Sequence, residues 1–233
     1  MMKLASCLPL VHALYAAPLS GEEIEARSLA TIDREAPSHN FTPPQWIIVQ
    51  RMIHATADFG LMNEIRFSPD VVAIACAALS AGRPLYVDSN MIRAGLSLSR
   101  LQAVCPEYNA QSILCHVADE DVASEAKAAG LPRSLFAVRK AQFALNGGIA
   151  VFGNAPAGLL ELNRLIIEEQ IRPALVVAMP VGFVHVIESK KEIMSLNAPF
   201  IALNGRRGGS SLAISVIHAL LTITSRKEGA SEE

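Results

Sequence analysis

From residue 84 onward, short apolar runs rich in β-branched residues alternate with segments whose apolar positions recur every three or four residues. The runs 84–87, 112–117, 148–152, 174–179 and 200–203 read as strands, and 64–67 as a further short one. They are apolar throughout instead of alternating with polar residues, which is the pattern of strands covered on both faces. Helices are expected between them, over 119–130, 133–145, 156–170 and 188–194, with a last one reaching 224. Upstream, Ser20-Gly21-Glu22-Glu23 and Thr42-Pro43-Pro44-Gln45 are capping boxes that open two helices. The second carries His54 and is expected to fray over Ala55-Thr56-Ala57. Ser68-Pro69 is expected to cap an alanine-rich helix that runs to Ser80. This rhythm predicts a three-layer α/β fold: a mostly parallel sheet flanked by helices on both faces. No linker, fixed-period repeat or low-complexity tract breaks it. Residues 20–225 therefore read as a single domain, with 1–19 as an N-terminal extension and 226–233 as a polar tail.

Composition narrows the class. The 233 residues are 51% hydrophobic and 18% charged, enough for a sizeable core and unlike a disordered chain. A formal charge of −2 gives no reason to expect nucleic acid or an anionic membrane as partner, so an anionic ligand must be met by local arginines. Cys7, Cys76, Cys105 and Cys115 form no C-x-x-C pair and read as free thiols of a cytoplasmic protein. Leu4-Ala5-Ser6-Cys7 mimics a lipoprotein cleavage box, but the three residues before it are too few for an apolar signal core. The apolar run 174–187 is broken by Pro180 and Gly182 and is too short to span a bilayer.

In a parallel sheet, ligands bind beyond the carboxyl ends of the strands. Four unusual loops follow strands directly: Asp88-Ser89-Asn90-Met91, Gly153-Asn154-Ala155-Pro156, Pro180-Val181-Gly182-Phe183 and Gly205-Arg206-Arg207-Gly208-Gly209-Ser210. They are expected to converge on one edge. The last loop leads into a helix and could cradle a phosphate there, but it lacks the Gly-Lys-Ser/Thr of a P-loop. Arg206 and Arg207 between glycines suit a carboxylated ligand, because arginine pairs with carboxylates bidentately. His54 and Asp58 lie four residues apart, so the carboxylate could orient the imidazole or raise its pKa. Ser28 falls on the apolar stripe of Ile24 and Ile32, either bonded back to a helix carbonyl or pointing into a site. There is no Gly-x-Ser-x-Gly elbow and no His-Glu-x-x-His, so hydrolase and zinc chemistry have no handle.

With these loops laid out, the sequence resembles the precorrin-8X methylmutase family of cobalamin biosynthesis. The matching stretches run in order: Glu25-Ala26-Arg27-Ser28, Arg51-Met52-Ile53-His54-Ala55, Phe67-Ser68-Pro69, Asp88-Ser89-Asn90-Met91, Gly153-Asn154-Ala155-Pro156, Met179-Pro180-Val181-Gly182-Phe183-Val184, Glu188-Ser189-Lys190 and Gly205-Arg206-Arg207-Gly208-Gly209-Ser210. Two positions depart from the family pattern. His185 stands where small residues are usual, and Gly158 where larger ones are. The resemblance implies a methyl shift from ring carbon 11 to ring carbon 12 of a corrinoid, with or without cobalt. It implies no cofactor and no protein-bound metal, and a homodimer with the site near the subunit interface. It places the active-site histidine at His54 and substrate-contacting hydroxyl and arginine positions at Ser28 and Arg133. Arg27, Asp88, Asn90, Met91, Ser134 and Asn154 join the candidate substrate contacts, as do Gly182, Phe183, Arg206, Arg207, Gly208 and Gly209. Histidine titrates near neutral pH and is the natural proton donor for such a shift. Scattered arginines, Arg51 and Arg93 among them, suit a substrate with many carboxylates. The competing class is a non-catalytic tetrapyrrole carrier, which would tolerate loss of His54.

Overall fold

The computed structural model describes residues 9–229, so Leu4-Ala5-Ser6-Cys7 and the end of the polar tail lie outside the described residues. The chain divides into two compact units, one ending at Ser38 and one beginning at His39. The first holds α1 (Val11–Ala16) and α2 (Gly21–Glu35). The Ser20 hydroxyl caps α2 by accepting from the Glu23 amide, and the Glu23 carboxylate returns to the Ser20 amide.

The second unit is a six-stranded sheet of β1 (Ile65–Phe67), β2 (Leu85–Val87), β3 (Ile113–Leu114), β4 (Ile149–Phe152), β5 (Leu175–Ala178) and β6 (Phe200–Leu203). The strand order is β1-β6-β5-β4-β2-β3. Every pairing is parallel except that of β1 with β6, where Ile65 faces Leu203 and Phe67 faces Ile201. The sheet is therefore mixed but mostly parallel. β2, β4 and β5 are buried along their whole length, which is why their sequences carry no polar alternation.

Helices cover both faces. Tyr86, Ala150, Phe152, Val176, Ala178 and Ala202 point into one core with α8 (Arg133–Lys140), α9 (Gln142–Leu145), α10 (Pro156–Glu168) and α11 (Val186–Ser195). The intervening residues point the other way, because side chains alternate along a strand. There α12 (Ser210–Gly229) packs against β4 and β5, and against α3 (Pro43–Thr56), α4 (Val71–Ser80), α5 (Asn90–Gly95) and α6 (Leu98–Gln102). Eight apolar side chains of α12, from Leu212 to Ile223, are buried. At roughly 1.5–3 kcal/mol for each large aliphatic among them, this helix anchors its layer. α7 (Glu120–Ala129) packs on α8, and Gly130 ends it in the left-handed conformation at φ 65°.

Three expectations are corrected. The alanine-rich helix begins at Val71 with no side-chain cap, because the Ser68 hydroxyl instead accepts the Phe200 amide at 2.9 Å at the sheet edge. The helix expected over 133–145 breaks at Ala141 (φ −84°, ψ 0°), which lets Val138, Ala141 and Leu145 all reach one core. α5 and α6 stand where no helix was expected. They span six and five residues, too short for a helical period to register, and Ser89 and Ser97 cap them.

Candidate functional site

Strand order reverses direction between β2 and β4, since β3 lies on one side of β2 and every later strand on the other. A ligand crevice opens at such a switch point. Asp88 follows β2 there and is 1% exposed. Its carboxylate accepts the amides of Gly153 (3.1 Å), Asn154 (2.8 Å) and Ala155 (2.6 Å). Burial pushes its pKa up, and those amides oppose the rise. Asp88 thus spends its acceptors on the loop after β4, whose Asn154 is exposed.

The other loops are tied to the same edge. The Ser89 and Ser210 hydroxyls lie 3.1 Å apart, the Gly209 amide donates to the Met179 carbonyl at 2.8 Å, and the Gly182 amide donates to the Arg206 carbonyl at 3.3 Å. Two glycines permit this approach. A Cβ on Gly153 would stand 2.8 Å from the Ser210 Cα, and one on Gly208 would stand 2.2 Å from the Met179 carbonyl oxygen. The four loops named from sequence therefore converge as expected. They present an apolar rim of Met91 (69% exposed) and Phe183 (84% exposed), with the Arg206 guanidinium 5.6 Å above the Phe183 ring.

Arg207 is tied into the chain by ion pairs. Its guanidinium reaches Asp58 at 3.0 Å and Glu64 at 3.6 Å. Asp58 in turn accepts the Gly60 amide at 2.8 Å, so its carboxylate serves Arg207 and the turn rather than His54. The expected fraying of α3 is also corrected. Ala57 closes the helix in the left-handed conformation (φ 53°) and its amide donates to the Ile53 carbonyl at 2.7 Å. Thr56 donates to the Met52 carbonyl and accepts the Asp58 amide. The helix begins as firmly, with Thr42 and Gln45 forming the capping box. His54 is exposed on the last turn of this ordered helix. The Asp58–Arg207 pair joins that turn to the arginine loop.

Arg133 is exposed at the start of α8, and Ser134 beside it is buried where a Cβ on Gly158 would lie 3.3 Å from the Ser134 Cβ. Ser134 therefore packs against the first turn of α10, just past the Asn154 loop. Gly158 makes room for this, which gives one departure from the family pattern a packing reason. Arg133 also lines a cleft of 510 Å³ with Lys127 and Leu131. The second departure, His185, sits in the left-handed conformation at φ 59° as the cap that opens α11, a region in which histidine is found more often than most side chains. Asn90 is exposed at the start of α5. Arg27 and Ser28 lie on α2 in the first unit, where Arg27 is exposed and the Ser28 hydroxyl donates to the Ile24 carbonyl at 2.8 Å.

One residue without an assigned role in the sequence reading belongs to this edge. Lys190 of α11 is fully buried and donates to the carbonyls of Arg207 (2.6 Å) and Gly205 (3.1 Å). Burial lowers its pKa to about 8, against the pull of Glu64. The only signal for it was its place in the Glu188-Ser189-Lys190 stretch. Among the described residues, no group of three or more histidine, cysteine, aspartate or glutamate side chains is placed to hold a metal ion.

The model of one family, described as precorrin-8X methylmutase, matches residues 23–223 and so takes in every loop of this edge. The chain belongs to the precorrin-8X methylmutase family. A cobalt-precorrin-8 methylmutase of Leptospira interrogans is 40% identical over 89% of this chain and 96% of its own length. A precorrin-8X methylmutase of Pseudomonas aeruginosa is 34% identical over 87% and 95%. The crystal structure of a precorrin-8X methylmutase from Thermus thermophilus superposes with a TM-score of 0.81 at 39% identity, covering 89% of this chain and 98% of that one. As a member of the methylmutase family the chain is an isomerase, and an isomerase site needs groups that hold and polarise its substrate. Among the described residues no helix is long and apolar enough to cross a membrane.

Proposed function

We propose that the chain moves a methyl group from ring carbon 11 to ring carbon 12 of precorrin-8X or its cobalt form in cobalamin biosynthesis, with His54 as proton donor. The observation that carries the reading is the position of His54. It is exposed on the closing turn of α3, and the Asp58–Arg207 pair joins that turn to the loop bearing Arg206. The names of the relatives support the substrate class.

The chemistry suits these groups. One carbon–carbon bond breaks as another forms, and the product is an isomer, so no electrons enter or leave. What is needed is a macrocycle held in one conformation and a proton supplied where basicity rises. Proton transfer of this kind contributes roughly 100- to 10,000-fold. His54 gives its proton and regains it before the next turnover. Arg206 and Arg133 are exposed cations that pair with the substrate's carboxylates, while Phe183 and Met91 cover its apolar ring. Asp88 and Gly208 act through the backbone by holding the loops together.

Incubation of the protein with metal-free and with cobalt-bearing substrate, followed by visible absorbance, tests the reaction class. Conversion of at least one to a product of altered conjugation is expected. Binding of both without any spectral conversion would replace the isomerase reading with that of a carrier.

A further inference from the structure

Lys190 is the most deeply buried charged side chain among the described residues, and the reaction as set out above gives it no task. Burying an ammonium costs several kcal/mol unless good acceptors surround it. Here the acceptors are two loop carbonyls, of Arg207 at 2.6 Å and of Gly205 at 3.1 Å. They bracket Arg206, so one ammonium fixes the backbone on both sides of that side chain. The countercharge comes from Glu64, whose Oε2 is buried without a hydrogen-bond partner and would lie 3.8 Å from a Cβ on Gly205. Glu64 is itself fixed, because its carbonyl accepts the Asn204 amide at 2.8 Å. From the fixed loop the Arg207 guanidinium runs to Asp58 at 3.0 Å, and the Asp58 amide donates at 3.3 Å to the hydroxyl of Thr56 in the last turn of α3.

We propose that Lys190 is a positioning residue for His54: it locks the backbone of 205–207 so that Arg207 holds Asp58, and through it the last turn of α3. The proposal rests on the role given to His54 above. Lys190 touches neither substrate nor His54 and acts only through this chain of contacts.

The test is a double-mutant cycle of K190M and D58N, with kcat and KM read from visible absorbance. Methionine matches lysine in length without charge, and Asp58 is 43% exposed, so D58N leaves the core intact. Each single variant is expected to lower kcat by roughly 10- to 100-fold, the scale of a small misplacement of a reacting group, with KM near wild type. The double variant is expected to fall no further than the worse single one, since both break the same chain. Losses that multiply, or a raised KM with kcat intact, would overturn the proposal. If K190M does not fold, D58N alone decides, because a wild-type kcat there breaks the chain at its exposed link. An inactive H54A with a fully active K190M would reject this proposal and leave the reading of His54 standing. An H54A at wild-type rate would reject that reading itself.

Discussion

Lys190 also sets a pH signature that belongs to a single residue. Its amine is lowered from the ordinary 10.5 to about 8 by burial. Below pH 8 the folded and unfolded chains both carry the proton, and the full cost of the buried charge stands. Between about 8 and 10.5 the folded protein has released a proton that the unfolded chain still holds. Stability from this group therefore rises with pH across that window and levels off above it. Urea denaturation across the window is expected to give a flatter dependence for K190M than for wild type, and equal slopes would refute the assignment. None of this was legible in the sequence. The acceptors of Lys190 are backbone carbonyls, which any residue supplies, and its countercharge lies far away along the chain at Glu64. The place of His54 at a helix end was legible from the capping box that opens α3 and the small, polar residues that follow it. Its link to Asp58 was misjudged because spacing alone cannot reveal that Arg207 reaches the same carboxylate.

At the scale of elements, the pairing of α8 with α10 decides where Arg133 stands. Glu161 of α10 is 4% exposed and accepts from Arg139 at 2.7 Å and from Arg164 at 2.6 Å. Burial alone would raise its pKa, but the two arginines overcome this and the net shift is downward. Its contribution is therefore present above the ordinary 4.5 and lost as pH falls through the lowered folded value. E161Q keeps the shape and removes the charge. It is expected to destabilise the fold by roughly 1.5–3 kcal/mol at neutral pH, the range for hydrogen bonds to charged groups, as read by urea denaturation. Unchanged stability would mean that the network is ornamental. β2, β4 and β5 were legible because burial on both faces leaves a continuous apolar run, whereas β1 carries the exposed Arg66 between Ile65 and Phe67. The boundaries that failed did so where tertiary bonds outweighed local preference, as at Ser68 and Ala141.

For the molecule as a whole, one feature of topology carries the function. The five parallel strands send their strand-to-helix loops to one edge, and strand order switches there between β2 and β4, the place where ligands bind in such sheets. The loops meet at backbone distance because Gly153 and Gly208 allow it, while Asp88 and Lys190 fix them from inside. In the function proposed above, affinity belongs to exposed cations and an apolar rim, and catalysis to one histidine on an adjoining helix. Binding and proton transfer are thereby assigned to different residues. The most direct test of that assignment is H54A, with product binding and substrate conversion followed in parallel by visible absorbance. Binding is expected to persist near wild-type affinity while conversion is lost. Conversion at wild-type rate would make His54 a bystander, and loss of both together would contradict the separation of binding from proton transfer.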